Sequence, residues 1–207
     1  MERNLLTEEK IKCSARGVFY RKGYTATRIS DIAINAGVNR SLVNYYFRSK
    51  QALFEIIMKE SIATLSEMIQ AVINDEQTNI GNKIDLIVTN YSTFLENNKE
   101  LPSFILREIQ TNPDKTLGYY FDSLKGGFSG STFYRQLEEH IEKQSLRNSI
   151  SAEHVIINII SICIYPFLDD KLMMKLINRD DTLLFDSLIE ERKYLNAFWI
   201  KKTLNLS

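Results

Sequence analysis

AGVNRSLVNYYFRSKQALF, residues 36–54, opens on a small residue and a glycine and closes on an apolar run behind a lysine. Between them Leu42, Val43, Tyr46 and Phe47 alternate in pairs with Arg40, Ser41, Asn44 and Tyr45. A helix turning once every 3.6 residues puts these two sets on opposite faces. Gly37 suits the turn in front of it, because glycine enters positive φ at little cost. The helices on either side then pack at a steep angle through Ile32, Ala33, Val38, Val43 and Phe47, which is helix-turn-helix geometry. The polar face matches duplex DNA. Arg can grip guanine O6 and N7 with two hydrogen bonds, Asn can do the same to adenine, and Ser or Tyr can hold phosphate oxygens. One side of the short helix anchors it, and the other is shaped for a major groove.

Outward from this stretch the helical spacing continues. A first helix is expected from Thr7, an N-cap with Glu8 and Glu9 behind it and a staple between Leu6 and Ile11. Its inner stripe is Ile11, Ala15, Val18 and Phe19, and Gly23 suits its end. The second helix opens at Thr27 and carries Ile29, Ile32, Ala33 and Ala36 inward to Gly37; the third begins at Asn39. A fourth starts at Ser49, runs through Leu53, Ile57, Leu65 and Val72, and fades in NDEQTNIGN. Beyond it the pattern predicts helices over about 82–97, from Pro102 to near Pro113, and over about 132–147, 152–175 and 183–204, with a loop at 123–132. β-type alternation is not sustained anywhere. The expectation is an all-α chain with a helix-turn-helix head at 5–65, joined by a long helix to an all-helical body at 66–207.

Composition agrees. The chain has 207 residues, 44% of them apolar, with 11 Phe and 10 Tyr, which excludes disorder as the main state. Net charge is zero, but residues 1–59 hold 11 Lys and Arg against 5 Asp and Glu, while residues 60–207 hold 15 against 21. A basic head on an acidic body is what a polyanion-binding module shows, although charges scattered on solvated faces give the same split. Cys13 and Cys163 lie far apart with no pairing or metal-ligand spacing, and the start of the chain has no apolar leader. The uncharged run at 155–168 has 14 residues, short of the roughly 20 a membrane span needs. A cytoplasmic protein with no membrane partner is therefore expected. Nucleotide-binding, metalloprotease and nucleophile-elbow motifs are missing, and His140 and His154 stand on polar ground, so no enzyme, cofactor or metal is expected.

TRISDIAINAGVNRSLVNYYFRSKQALF, residues 27–54, resembles the TetR family of bacterial transcriptional regulators. Thr27, Ile32, Ala33, Ala36, Gly37, Val38, Tyr46, Phe47, Ser49, Lys50 and Leu53 stand at the family's positions, and ARGVFYRKGYTATRI resembles its first helix and following loop. The resemblance covers about residues 7–60. It implies phosphate contacts from Thr27, whose hydroxyl would also cap the second helix, and from Tyr46 and Lys50, the latter at a helix N-terminus that itself attracts phosphate. Arg40, Ser41, Asn44 and Tyr45 would face bases, with Asn39 at the helix start and Arg28 and Ser30 near the groove rim. Packing for Tyr46 and a plain solvated role for Lys50 and Arg28 stay open. Ser41, Asn44, Tyr45 and Ser30 depart from the family's usual residues, so the operator sequence is unreadable.

The resemblance also implies a homodimer on a palindromic operator, and a body pocket for an unidentified small-molecule effector that releases the DNA. Aromatic candidates for that pocket are Tyr91, Phe94, Phe104, Tyr119, Phe121, Phe128 and Tyr134, residue types that simple cores also use. Candidates for the dimer interface are Ile156 and Ile160 in one stretch and Leu188, Leu195, Phe198 and Trp199 in another, with core burial as the alternative. The competing functions are a regulator that binds DNA constitutively and a helical protein-interaction adaptor without a ligand.

Overall fold

The computed structural model describes residues 2–123, 127–146, 149–177 and 182–206, with the side chains of 2–4, 120–122, 170–171 and 182–183 left aside. Among these the architecture is all helical: α1 Glu2–Ala26, α2 Ile29–Ala36, α3 Arg40–Phe47, α4 Lys50–Ile73, α5 Ile80–Asn97, α6 Leu101–Thr111, α7 Pro113–Ser123, α8 Thr132–Lys143, α9 Ala152–Leu168, α10 Asp170–Leu176 and α11 Thr182–Thr203. They form two compact units, Met1–Thr64 with Ser103–Ser123, and Leu65–Pro102 with Leu124–Ser207. The sequence reading assigned 103–123 to the body; these residues pack instead within the amino-terminal unit.

In the amino-terminal unit Ile11, Ala15, Val18 and Phe19 of α1 are buried with Ile32 and Ala33 of α2, Val43 and Phe47 of α3, and Leu53, Phe54 and Ile57 of α4. Several local expectations change. Helix α1 starts at Glu2, and Leu6 is 70% exposed, so Thr7 is not its cap and no staple forms. Gly23 (φ 74°, ψ 172°) leaves the helical path, so the first run of α1 ends there as expected, and a short turn carries the element on to Ala26. A Cβ there would meet Arg107 Nε at 3.1 Å and Glu108 Oε1 at 3.3 Å, so glycine is needed for both backbone and space. Helix α2 begins at Ile29 behind Arg28, whose N–H donates to Asp31 Oδ2 at 3.2 Å. The expected helix from Pro102 to Pro113 is followed directly by α7, because Pro113 opens that helix. Proline at a first helical position gives up an N–H that has no partner there anyway.

Helices α6 and α7 hold to α1 and α4. Arg107 Nη2 donates to the Tyr20 carbonyl at 2.8 Å, and the Tyr24 N–H donates to Glu108 Oε1 at 3.0 Å. Phe104 packs 4.9 Å from the Tyr20 ring, centroid to centroid. Tyr20 donates to Ser61 Oγ at 2.6 Å, because the serine's own proton goes to the Ile57 carbonyl at 2.7 Å.

The carboxyl-terminal unit packs α5, α8, α9 and α11 around Ile84, Val88, Phe133, Leu137, Val155, Ile159, Ala197 and Ile200. The single helix expected over 152–175 is two, because Asp169 leaves the helical path and accepts from Leu172 N at 2.9 Å, capping α10. Pro166 lies inside α9. Its missing N–H would orphan the Ile162 carbonyl four residues back. That oxygen accepts instead from Arg192 Nη2 at 3.2 Å and Asn196 Nδ2 at 3.4 Å, both on α11. Lys83 is fully buried and donates to the Ile73 carbonyl at 3.4 Å, a cation at the C-terminal end of α4. His140 bonds the Leu204 carbonyl at 2.7 Å. No helix among the described residues is long and apolar enough to cross a membrane, and none of their acidic, His and Cys side chains gather in threes as metal ligands would.

Candidate nucleic-acid interface

The turn between α2 and α3 is closed by two hydrogen bonds, Gly37 N to Ile34 O at 3.1 Å and Val38 N to Ala33 O at 3.0 Å. This is the Schellman pattern, and Gly37 takes its left-handed position at φ 61°. Space does not demand the glycine there, since a Cβ would meet only Lys10 Nζ at 3.6 Å; the backbone angle does. Asn39 caps α3 through Oδ1, which accepts from Leu42 N at 2.8 Å. Helix α3 then buries Val43 and Phe47, half-buries Leu42 and Tyr46, and leaves Arg40, Ser41, Asn44 and Tyr45 exposed, Tyr45 by 75%. Arg28, Ser30 and Asn39 are exposed as well. Ten candidates were drawn from the sequence, and seven of them share this open surface of the amino-terminal unit.

The other three are Thr27, Tyr46 and Lys50. Thr27 is only 1% exposed, and its hydroxyl donates to the Gly23 carbonyl at 2.7 Å. It therefore neither caps α2 nor offers a hydroxyl to phosphate; it fixes the corner between α1 and α2. Tyr46 is half-buried, its ring between those of Tyr45 (5.4 Å) and Phe47 (6.2 Å). Lys50 is half-buried too. Its ammonium donates to the Tyr24 and Thr27 carbonyls, both at 2.9 Å, and lies 4.2 Å over the Tyr24 ring. Two of its three protons are committed to the corner that Thr27 closes. Arg48, exposed directly after α3 at φ 61°, escaped the sequence reading. The signal was a cation between two helix boundaries, which composition alone does not separate from a solvated charge.

Residues 14–57 match the model of "Bacterial regulatory proteins, tetR family". The "Probable HTH-type transcriptional regulator YttP" of Bacillus subtilis (strain 168) is 27% identical over 163 residues, 78% of this chain and 77% of that one. The crystal structure of HlyIIR, a hemolysin II transcriptional regulator, matches with a TM-score of 0.63 at 26% identity over 91% of this chain and 97% of that one. The helix-turn-helix segment is thus of the TetR family's type, and the chain is similar to TetR-type regulators over most of its length. The fatty acid degradation regulator FadR from Bacillus halodurans shares the fold, with a TM-score of 0.56 at 16% identity over 92% of this chain and 94% of that one. A TetR-type chain with this helix-turn-helix is a DNA-binding transcriptional regulator.

In this TetR-type chain the body candidates separate. Tyr91 and Phe128 line a narrow apolar cavity of about 10 Å³ in the carboxyl-terminal unit, together with Ile87, Ile156 and Ile159. Phe94 is half-buried against the same core, and the Tyr134 hydroxyl donates to Glu153 at 2.5 Å. Phe104 and Tyr119 were expected in the body pocket, but they belong to the amino-terminal unit, carried there by α6 and α7. The Phe121 side chain lies outside the described residues. Of the interface candidates, Ile156 is core rather than surface, because α9 turns it toward the cavity. Ile160, Phe198 and Trp199 remain exposed, Trp199 by 44%, and Leu188 and Leu195 are half-buried. Ile157 and Tyr165 on α9 and Tyr194 on α11, all exposed, were missed. Ile157 and Tyr194 extend the same faces, and helical spacing from Ile160 and Phe198 would have found them; Tyr165 stands about 140° round α9 from Ile160.

Proposed function

We propose that the protein is a homodimeric repressor that lays α3 of each protomer into successive major grooves of a palindromic operator. The observation that carries this reading is the division of α3 itself, with Val43 and Phe47 sealed inside while Arg40, Ser41, Asn44 and Tyr45 face solvent. Arg40 and Asn44, one turn apart, are the base readers; Tyr45, Arg28 and Arg48 serve the backbone on either side. The exposed apolar faces of α9 and α11, with Ile157, Ile160, Tyr194, Phe198 and Trp199, support a second copy as the dimer partner. Two-fold pairing spaces the recognition helices by about 34 Å, one turn of DNA.

Release by an effector is part of the proposal. The ligand would favour a spacing of the two α3 helices that misses adjacent grooves. The cavity at Tyr91 and Phe128 is its natural seat, but about 10 Å³ holds roughly one water, whereas ligand pockets run to about 300–1,000 Å³. Binding there requires the cavity to open. The same observation favours a second reading, a regulator that binds DNA constitutively. Selection of bound duplexes from a random pool tests the operator: an inverted repeat with half-sites one helical turn apart is expected, and recovery of no motif would overturn it. Operator release screened against metabolites then separates the induced from the constitutive reading.

A further inference from the structure

The amino-terminal unit contains a second pocket, of about 130 Å³, enclosed by α1, α4, α6 and α7 and lined by Tyr24, Phe54, Glu108, Asn112, Lys115 and Tyr119. Two of its polar groups are under-used. Glu108 is 4% exposed, and its carboxylate accepts from the backbone N–H of Tyr24. No cationic side chain among the described residues pairs with it. Tyr119 is 8% exposed, and its hydroxyl meets only the Lys115 ammonium, which is itself paired with Glu55. Burial raises the phenol's pKa above the ordinary value, so this hydroxyl stays protonated and can both donate and accept.

A buried carboxylate is costly unless it is paired, and a pocket wall is where the missing partner can arrive. Lys115 is not that partner, because its ammonium lies 2.7 Å from Glu55 Oε1. With that pair neutralised, Glu108 is the one charge among the lining residues without an opposite partner, another cation, Lys59, standing outside the lining 6.0 Å over the Tyr119 ring. The remaining walls are aromatic. Tyr24 and Phe54 stand 4.8 Å apart, centroid to centroid, and suit the alkyl or polarised methylene groups beside a positive nitrogen. An anion is excluded by Glu108, and a fully apolar ligand would leave both the carboxylate and the phenol unsatisfied.

We propose that this pocket binds a small organic cation, an alkylammonium whose charged end rests on Glu108 and Tyr119 and whose chain lies against Tyr24 and Phe54. A cavity of about 150 Å³ takes benzene, so the ligand has about five or six heavy atoms. Occupancy is felt at the DNA-binding corner. Glu108 holds the Tyr24 N–H, and the Tyr24 carbonyl is one of the two that anchor Lys50.

The test uses the full chain without DNA and so stands apart from the operator reading. Isothermal titration and thermal melting compare n-butylammonium chloride with 1-butanol, using sodium chloride as the ionic control. The amine should bind and raise the melting temperature, with the alcohol weaker by about tenfold or more, since it brings no charge to the carboxylate. Glu108→Gln should erase the preference for the amine. Should that variant fail to fold, Tyr119→Phe removes an oxygen whose one neighbour, Lys115, keeps its pair with Glu55; the fold survives and the amine should still weaken severalfold. Equal affinity for amine and alcohol, no binding of either up to about 10 mM (roughly the weakest useful range), or unchanged amine affinity in a folded variant overturns the proposal.

Discussion

Replacing Lys50 by Met separates a lysine that grips phosphate from one that builds the site. The ammonium donates to the Tyr24 and Thr27 carbonyls at 2.9 Å each and sits 4.2 Å over the Tyr24 ring. Charge-assisted hydrogen bonds contribute about 1.5–3 kcal/mol each and an exposed cation–π contact about 0.5–1 kcal/mol. Lys50 is half-buried, and water can re-solvate both carbonyls once it is gone, so the low end applies. The expected destabilisation is about 3–4 kcal/mol, a fall in melting temperature of about 6–16 °C for a chain of this size. Hydrogen exchange should show it first in the amides of α2 and α3. Operator affinity should fall because α3 is less well placed, while the dependence of log K on log salt keeps its slope. A lysine that holds phosphate predicts the reverse: stability unchanged, and the slope shallower by about 0.9 for each phosphate no longer neutralised. Stability within about 0.5 kcal/mol of the parent, a surface-sized effect, together with that shallower slope, would refute the structural role.

Four further outcomes follow from single interactions. Asn196→Ala should cost about 1–2 kcal/mol by leaving Arg192 alone on the Ile162 carbonyl, and much less when Pro166→Ala restores the helix N–H; additive destabilisation in urea would discount that account. Glu153 is held down at about 2, first by the Tyr134 hydroxyl and then by Ser151. Because its folded pKa lies below the ordinary 4.5, its contribution is present above that value and lost as pH falls toward 2; Tyr134→Phe should return the group toward 4.5 in an NMR titration and flatten that stretch of the acid profile. Gly37→Ala should cost about 1–2 kcal/mol in thermal stability, because alanine must take φ 61°, and Gly37→Asn should cost less. Arg40→Ala should weaken operator binding by about 1–3 kcal/mol and relax base preference at one position of each half-site, with melting unchanged; an unaltered selected motif would remove Arg40 from the readers.

The recognition helix was legible because three independent local signals agree on it: paired alternation over residues 40–47, a glycine where the backbone turns left-handed, and Asn39 as its cap. Local signals failed where a residue's partner lies elsewhere in the chain. Thr27 looked like a cap because threonine caps helices, but its hydroxyl goes back to Gly23, and only the packing of the corner reveals that it is buried. Pro113 carries the same sequence information whether it ends one helix or begins the next. Reading it as an ending hid α7, and with it the assignment of Phe104 and Tyr119 to the amino-terminal unit. Asp169 was hidden because Leu172, Met173 and Leu176 resume helical spacing beyond the charged triplet Asp169, Asp170 and Lys171, although it both leaves α9 and caps α10.

Two residues break the rule of their own helix, and they are resolved differently. Pro166 withdraws an N–H from the middle of α9, and α11 supplies two donors to the carbonyl it exposes. Glu108 puts a carboxylate on the buried stripe of Leu101, Phe104 and Ile105, and the surrounding helices return one backbone N–H. Both were visible in the sequence as anomalies, a proline inside a helical run and an acid at the next position of an apolar repeat. What the sequence could not contain was the answer each receives. A violation matched by donors from a neighbouring helix is architecture, since its energy is recovered within the fold. One left under-matched beside an open volume of about 130 Å³ has its balance supplied from outside, which is why the second anomaly and not the first points to a ligand.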